Sequence, residues 1–173
     1  MQAAPKNRTQ GAIFGVLMSI TMTHGMEVYN VAWKLGYPTL PDGFSNMTND
    51  VFLGALVEAA YMWIFVFIFS NLWDNRLGAG LVGRLVDPKR DSPFLCTLVR
   101  SGCTVLVMCP TMSLVASILF NVVLAGASPA QPPTIWVGTL IKNFPMALLW
   151  NLFAAGPVSR LLFAKLFSRV GER

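Results

Sequence analysis

Four long apolar stretches divide this chain, each reaching the length of about twenty residues that a helix needs to cross a bilayer core. They run approximately from Ala12 to Trp33, Val51 to Trp73, Thr97 to Ala125 and Ile135 to Ala155. The third is long enough that its start is expected at the interface, where Arg100 can snorkel. Prolines interrupt two of the connections. Pro38, Pro41, Asp42 and Gly43 fall in the first, and Pro129, Pro132 and Pro133 in the third, so neither should continue a helix. The middle connection is different, because Leu77 to Val86 is apolar with glycines and Arg84. It reads equally as an interfacial segment or as a short connector. The pattern predicts an all-α integral membrane protein, a bundle of four transmembrane helices.

Composition agrees with this reading. Of 173 residues, 54% are hydrophobic and 12% charged, with a mean hydropathy of +0.57, outside the usual range of a soluble domain of this length. The net charge of +5 does not point to nucleic acid, because the basic residues gather at the ends of apolar segments instead of along one face. Lys6 and Arg8 precede the first stretch. Arg76, Arg84, Lys89 and Arg90 separate the second from the third, and Arg160, Lys165, Arg169 and Arg173 follow the fourth. The other two connections hold a single cation, Lys34. The positive-inside rule then places both termini and the middle connection in the cytoplasm, in the inner (plasma) membrane of a cell. The first apolar stretch is too long for a signal-peptide core and should be retained.

The second half of the chain slides onto the first without a gap. Gly54, Leu56, Met62, Phe69, Arg76 and Leu77 fall on Gly138, Leu140, Met146, Phe153, Arg160 and Leu161. In the odd-numbered stretches, Met18, Thr21, Met22 and Thr23 fall on Met108, Thr111, Met112 and Ser113. This predicts two two-helix repeats, residues 1–91 with the inner connection and residues 92–173. Each unit contains two spans, so the copies should run parallel about an axis along the membrane normal.

These residues resemble a family of short, uncharacterised bacterial membrane proteins with two spans, known only as a domain of unknown function. The likeness lies in a first span rich in Met-Ser and Met-Thr pairs, at Leu17, Met18, Ser19 and at Met22, Thr23. It lies also in a second span reading Phe144, Pro145, Met146, Ala147, then Gly156 and Pro157, with a basic ending at Arg160. The second half matches better, since the first has Ala60 and Tyr61 where Phe144 and Pro145 stand. The resemblance implies a membrane location and two fused units, and supplies no activity, cofactor or catalytic residue.

The repeat gives two charged residues a shared position, for Glu58 falls on Lys142. Both lie inside apolar stretches, where an unpaired charge is costly and ionisable residues mark candidate functional sites. At 1.5 Å per residue, Glu58 and Lys142 lie about two turns from the outer ends of their stretches, and Glu27 comes to a similar level. His24, Asn30, Ser117, Asn121 and Asn143 fall within about a turn of this layer. A carboxylate and an ammonium at 4 Å attract by roughly 4 kcal/mol at an effective dielectric of about 20, enough to offset much of an insertion cost of about 3 kcal/mol per charge. Lys142 is therefore expected to pair with Glu58 or Glu27. The leftover carboxylate would be protonated, paired with His24, or wetted from outside. His24, Glu27 and Asn30, three residues apart, form a polar stripe on one helix face.

Other signals carry less. Cys96, Cys103 and Cys109 fit neither a zinc pattern nor a disulfide framework and read as small apolar residues. Met18, Met22 and Met26, like Met108 and Met112, recur every four residues; thioethers can bind copper(I), but flexible packing is the better account. Pro110 and Pro145 should kink the third and fourth helices. Asn46, Met47 and Thr48 match a glycosylation acceptor, a pattern too common to weigh. No phosphate loop, zinc-protease helix, nucleophile elbow or haem-attachment pattern is present. The expectation is a protein without catalytic residues, metal or cofactor, with the lipid bilayer and no nucleic acid as partner. Four helices bury little surface, so a homo-oligomer is also expected. Two readings of the polar layer stand. One is a small transporter or channel-like protein whose outward-facing pocket takes a small polar or ionic solute; the other is an accessory or assembly subunit whose ion pair fixes helix packing.

Overall fold

A computed structural model describes Pro5, residues 7–126 and residues 128–168. Lys6, Arg169 and Arg173, counted in the charge bias, lie outside the described residues. All regular structure within them is helical: α1 (Arg8–Lys34), α2 (Asn49–Phe69), α3 (Asn75–Leu85), α4 (Pro93–Ala116), α5 (Pro132–Trp150) and α6 (Gly156–Ser168), with two 3₁₀ turns, Tyr37–Thr39 and Gly43–Asn46.

Local chemistry accounts for the helix ends. The side chain of Asn7 accepts from the backbone N–H of Gln10 at 2.8 Å to start α1, and Ser92 does the same for Leu95 at 3.2 Å ahead of Pro93 in α4. α1 stops where Gly36 takes φ +82°, a left-handed conformation that favours glycine, and Pro38 follows. Tyr37 then folds inward, and its hydroxyl meets both the N–H and the Oγ1 of Thr48 at 3.2 Å. With Val31, Ala32, Val51 and Ala55 it forms a small apolar core at this end of the α1–α2 hairpin.

Two expectations change here. The stretch Leu77–Val86 was expected as an interfacial segment or a connector, but helix continues through Ser70–Asp74, in π geometry, into α3. The fourth stretch likewise continues past Ala155, through π-helical Asn151–Ala155 into α6. Arginines at 76 and 160 end an apolar run without ending a helix, since arginine is itself a good helix former. Three helices are consequently long and apolar enough to cross a membrane, Asn49–Leu85, Pro93–Leu124 and Pro132–Phe167, of 37, 32 and 36 residues. α1 is not among them. Its 27 residues suffice in length, but Thr21, Thr23, His24, Glu27 and Asn30 dilute its apolar character.

Packing is inverted relative to a water-soluble bundle. The buried positions hold small or polar groups such as Ser19, Ser113, Ser117 and Ser159, while large apolar side chains such as Leu53, Val57, Phe94, Ile141 and Phe153 face outward. Small interior residues and an apolar exterior suit a lipid solvent. The chain is a helical protein of membrane character.

The helices sort into two compact units. One comprises Met1–Phe67 and Phe153–Arg173, the other Ile68–Leu152. Each therefore draws on both halves of the chain. In the first, α1 packs along α6, where Phe163, 2% exposed, meets Phe14 edge-on at 5.6 Å and Phe167 at 4.6 Å, and Thr21 and Ser159 share a hydroxyl contact of 2.7 Å. In the second, α4 is central, with α3 and α5 packed against it. Two indoles fasten it: Trp73 donates to Thr111 Oγ1 at 3.3 Å and Trp136 donates to the carbonyl of Pro110 at 2.8 Å. Both helix prolines, Pro110 and Pro145, lie within continuous helix.

Candidate functional site

The α1–α2 hairpin positions the first part of the polar layer. Gly15 faces Phe67, and Gly54 lies close against Val31, so the two helices run antiparallel with Glu27 opposite Glu58. Glu27 is 4% exposed. Its carboxylate meets that of Glu58, takes the side-chain amide of Asn30, and lies in the field of Lys34. Tyr61 stands in the field of both carboxylates.

The ion pair of Glu58 is with Lys34, whose Nζ lies 2.6 Å from Oε1. The sequence pattern expects Lys142 to pair with Glu58 or Glu27; the partner of Glu58 within the α1–α2 hairpin is Lys34. Hydropathy alone puts Lys34 in the connecting loop, but it is the final residue of α1, and its long side chain reaches back along the hairpin while staying half exposed. Its position immediately after Trp33, four residues beyond Asn30, is the signal available in the sequence.

Several oxygens in this hairpin lack a donor. Oε2 of Glu58, Oδ1 of Asn30 and Oγ1 of Thr23 are all buried without a hydrogen-bond partner. Thr23 lies one turn before Glu27 on the same face of α1 and is 3% exposed. His24, by contrast, is exposed. The expected stripe of His24, Glu27 and Asn30 thus divides, because a step of three residues turns by about 300°, which sets His24 at the edge of the buried face.

The remaining expected residues lie in the other unit. Lys142 is half-buried on α5, and its neighbour Asn143 is buried with Oδ1 unpartnered. Ser117 and Asn121, also placed near the layer, are tied to α4 and its continuation: Ser117 donates to the carbonyl of Ser113 at 2.7 Å, and Asn121 to that of Ser117 at 3.2 Å. This back-bonding stripe coincides with the π-helical stretch Ser117–Leu124. Cys103 and Cys109 are buried and Cys96 is half-buried, all three as free thiols.

One buried acid escaped the sequence reading. Asp74 closes the π turn before α3, is 3% exposed, and leaves Oδ1 without a partner. An ideal Cβ on Gly78 would lie 3.8 Å from that oxygen and 3.9 Å from Thr104 Oγ1, so the glycine keeps α3 close to α4 beside the acid. A carboxylate next to Asn75 and Arg76 reads in the sequence as the start of a loop, with no sign of burial.

Residues 89–167, a little under half of the chain, match the domain of unknown function DUF2798. This match covers α4, α5 and almost all of α6, the half in which the resemblance had been the better. No curated protein matches the chain, and no solved structure does.

Proposed function

We propose that this protein is a small multi-pass membrane protein, transporter- or channel-like, whose α1–α2 hairpin forms an outward-facing polar pocket for a small polar or ionic solute. In this reading α1 crosses the membrane with the three more apolar helices, both termini are cytoplasmic, and the chain consists of two parallel two-helix repeats. One observation carries the pocket: Glu27 and Glu58 meet within an apolar hairpin while Lys34, half exposed at the helix end, links them to the outer interface. Intramembrane carboxylates that face a protein interior and reach towards water are the usual furniture of solute and proton pathways. The repeat is supported by the two compact units, whose boundaries cut the second and fourth apolar stretches at nearly the same repeat position, after Phe67 and after Leu152. Thr21 and Thr111, aligned by the repeat, also each make a cross-helix contact.

A second reading, an accessory subunit with a purely structural ion pair, draws on the short Lys34–Glu58 contact. Cysteine labelling separates the two. With Cys96, Cys103 and Cys109 replaced by alanine, a cysteine at Ala55 or Tyr61, on either side of Glu58, should react with a membrane-impermeant thiol reagent added from outside. Absence of reaction at both positions, with reaction restored in detergent, would count against the pocket.

A further inference from the structure

The α3–α4 hairpin carries, at its closed end, cations that the fold leaves unanswered. Arg76, Arg84, Lys89, Arg90 and Arg100 lie there, all exposed, against two acids, Asp87 and Asp91, besides the buried Asp74. The turn between the helices takes up both acids. Asp87 accepts from the N–H of Lys89 at 2.9 Å and pairs with Arg90 at 3.8 Å, and Asp91 accepts from the N–H of Asp87 at 2.7 Å. Among the described residues, Arg76, Arg84, Lys89 and Arg100 pair with no acid. Helix geometry puts Arg76, Gly80, Gly83 and Arg84 on one side of α3, and at both glycines an added Cβ would meet nothing within 4 Å. The face between the two arginines is bare. Gly78 points the other way, its Cβ position 4.0 Å from Cα of Thr104, so Arg100, one turn before Thr104 on antiparallel α4, comes level with Val82 and brings a third guanidinium to the height of Arg84.

The helices Asn49–Leu85 and Pro93–Leu124 have 37 and 32 residues. At 1.5 Å per residue they run to about 55 and 48 Å, well beyond a hydrocarbon core of about 30 Å. The far end of the second is Val123 and Leu124, exposed and apolar, so the cationic end is the one that leaves the hydrocarbon. There Leu77, Leu85, Phe94 and Leu98 are exposed beside the arginines. Unpaired guanidinium groups and bare apolar side chains on one surface fit the boundary between acyl chains and headgroups, where a guanidinium can take two phosphate oxygens at once. We propose that the outer face of α3, from Arg76 to Arg84, binds the phosphate of one anionic phospholipid, with Arg100 and Lys89 adding to its field and an acyl chain lying along Leu77. A zwitterionic lipid carries the same phosphate beside a cation that the arginines repel, so the face selects headgroups of net negative charge. The inference rests on the membrane character of the helices and not on the pocket between α1 and α2.

The test uses the full chain purified in a neutral detergent and titrated with phosphatidylglycerol or phosphatidylcholine, the lipid retained per chain being counted by native mass spectrometry. One phosphatidylglycerol per chain is expected, held in preference to phosphatidylcholine. Arg76→Gln and Arg84→Gln should each weaken it about fivefold. Gly83→Leu, which keeps every charge and fills the bare face, should weaken it as much. Arg160→Gln, at the position that the repeat aligns with Arg76, should leave the affinity unchanged. Arg76, Gly83 and Arg84 are exposed, so the three variants probe the face independently, and Tm in detergent alone shows that each is folded. Equal retention of the two lipids would overturn the proposal. So would a loss in Arg160→Gln equal to that in Arg84→Gln, which would mean attraction to positive charge in general, or full affinity in Gly83→Leu. Displacement of the lipid by an equal concentration of inorganic phosphate would overturn it as well, by making the ligand a soluble anion.

Discussion

In the unit containing α1, carboxylates and one hydroxyl meet partners across helices, although Ser19 and Thr21 also bond to the carbonyls four residues earlier; in the unit containing α4, polar side chains mostly turn back on their own helix. The first unit joins Glu58 to Lys34 and to Glu27, and Thr21 to Ser159. In the second, Thr97, Thr111, Ser117 and Asn121 each bond to the carbonyl four residues earlier. Its cross-helix bonds to α4 come from the indole N–H groups of Trp73 and Trp136. The difference is one of charge. A hydroxyl can be satisfied locally by a helix carbonyl, but a carboxylate only accepts hydrogen bonds and the carbonyls of its own helix offer it nothing. Carboxylates in an apolar helix must therefore find a partner elsewhere, and the unit that carries two of them, Glu27 and Glu58, is organised around that need. The comparison also isolates an exception in the second unit, since Asp74 is buried there with no such partner.

The largest effect should come from the apolar contact that holds α6 to α1. Phe163 is packed between Phe14 and Phe167, and Phe163→Ala removes nearly a whole buried ring, at a cost of about 3–5 kcal/mol. Hydrogen exchange on the full chain should then rise first in α1 and α6. If protection fell equally in α4 and α5, the two units would be unfolding as one and the contrast between them would lose its energetic meaning.

Asp74→Asn should act in the other direction. A carboxamide of nearly the same shape removes the buried charge, so the variant is expected to gain about 1–2 kcal/mol. Reversible unfolding in mixed micelles would measure it. A loss of stability would mean that the carboxylate has a partner and that the second unit manages a charge as the first does. The same substitution at Glu58 should destabilise, because there the charge is already paired with Lys34.

How far these features could be read beforehand depends on which physical signal carried them. Apolar length identified the helices, and the caps at Asn7 and Ser92 are ordinary local chemistry. Glu27, Glu58 and Asn30 were legible as a group because helix geometry alone brings Glu27 and Asn30 to adjacent positions and puts Glu58 at a comparable depth. Lys34 was missed because its pairing depends on where α1 ends, which Gly36 decides and hydropathy does not. The continuation of helix through Trp73 and Ala155 was missed for a related reason. A π turn keeps the backbone bonded while shifting the face that side chains present, so a break in the apolar pattern there does not signal a break in the helix.

The smallest effect gives the most direct comparison, because the repeat aligns Gly54 with Gly138. In a helix interior alanine is favoured over glycine by about 1 kcal/mol, so any difference between Gly54→Ala and Gly138→Ala must come from the surroundings. At Gly138 an added methyl group meets nothing within 4 Å, whereas at Gly54 it would lie 3.2 Å from Cγ1 of Val31. Gly138→Ala should therefore stabilise by up to about 1 kcal/mol, and Gly54→Ala should lose most of that gain as Val31 is pushed aside. Val31 belongs to the apolar core at the end of the α1–α2 hairpin, next to the helix turns that carry Glu27 and Glu58. A double variant, Gly54→Ala with Val31→Ala, relieves the crowding and should recover part of the difference. Equal gains at both glycines would mean that α1 and α2 do not approach closely at this level, and the meeting of Glu27 with Glu58 one turn further on would lose its support.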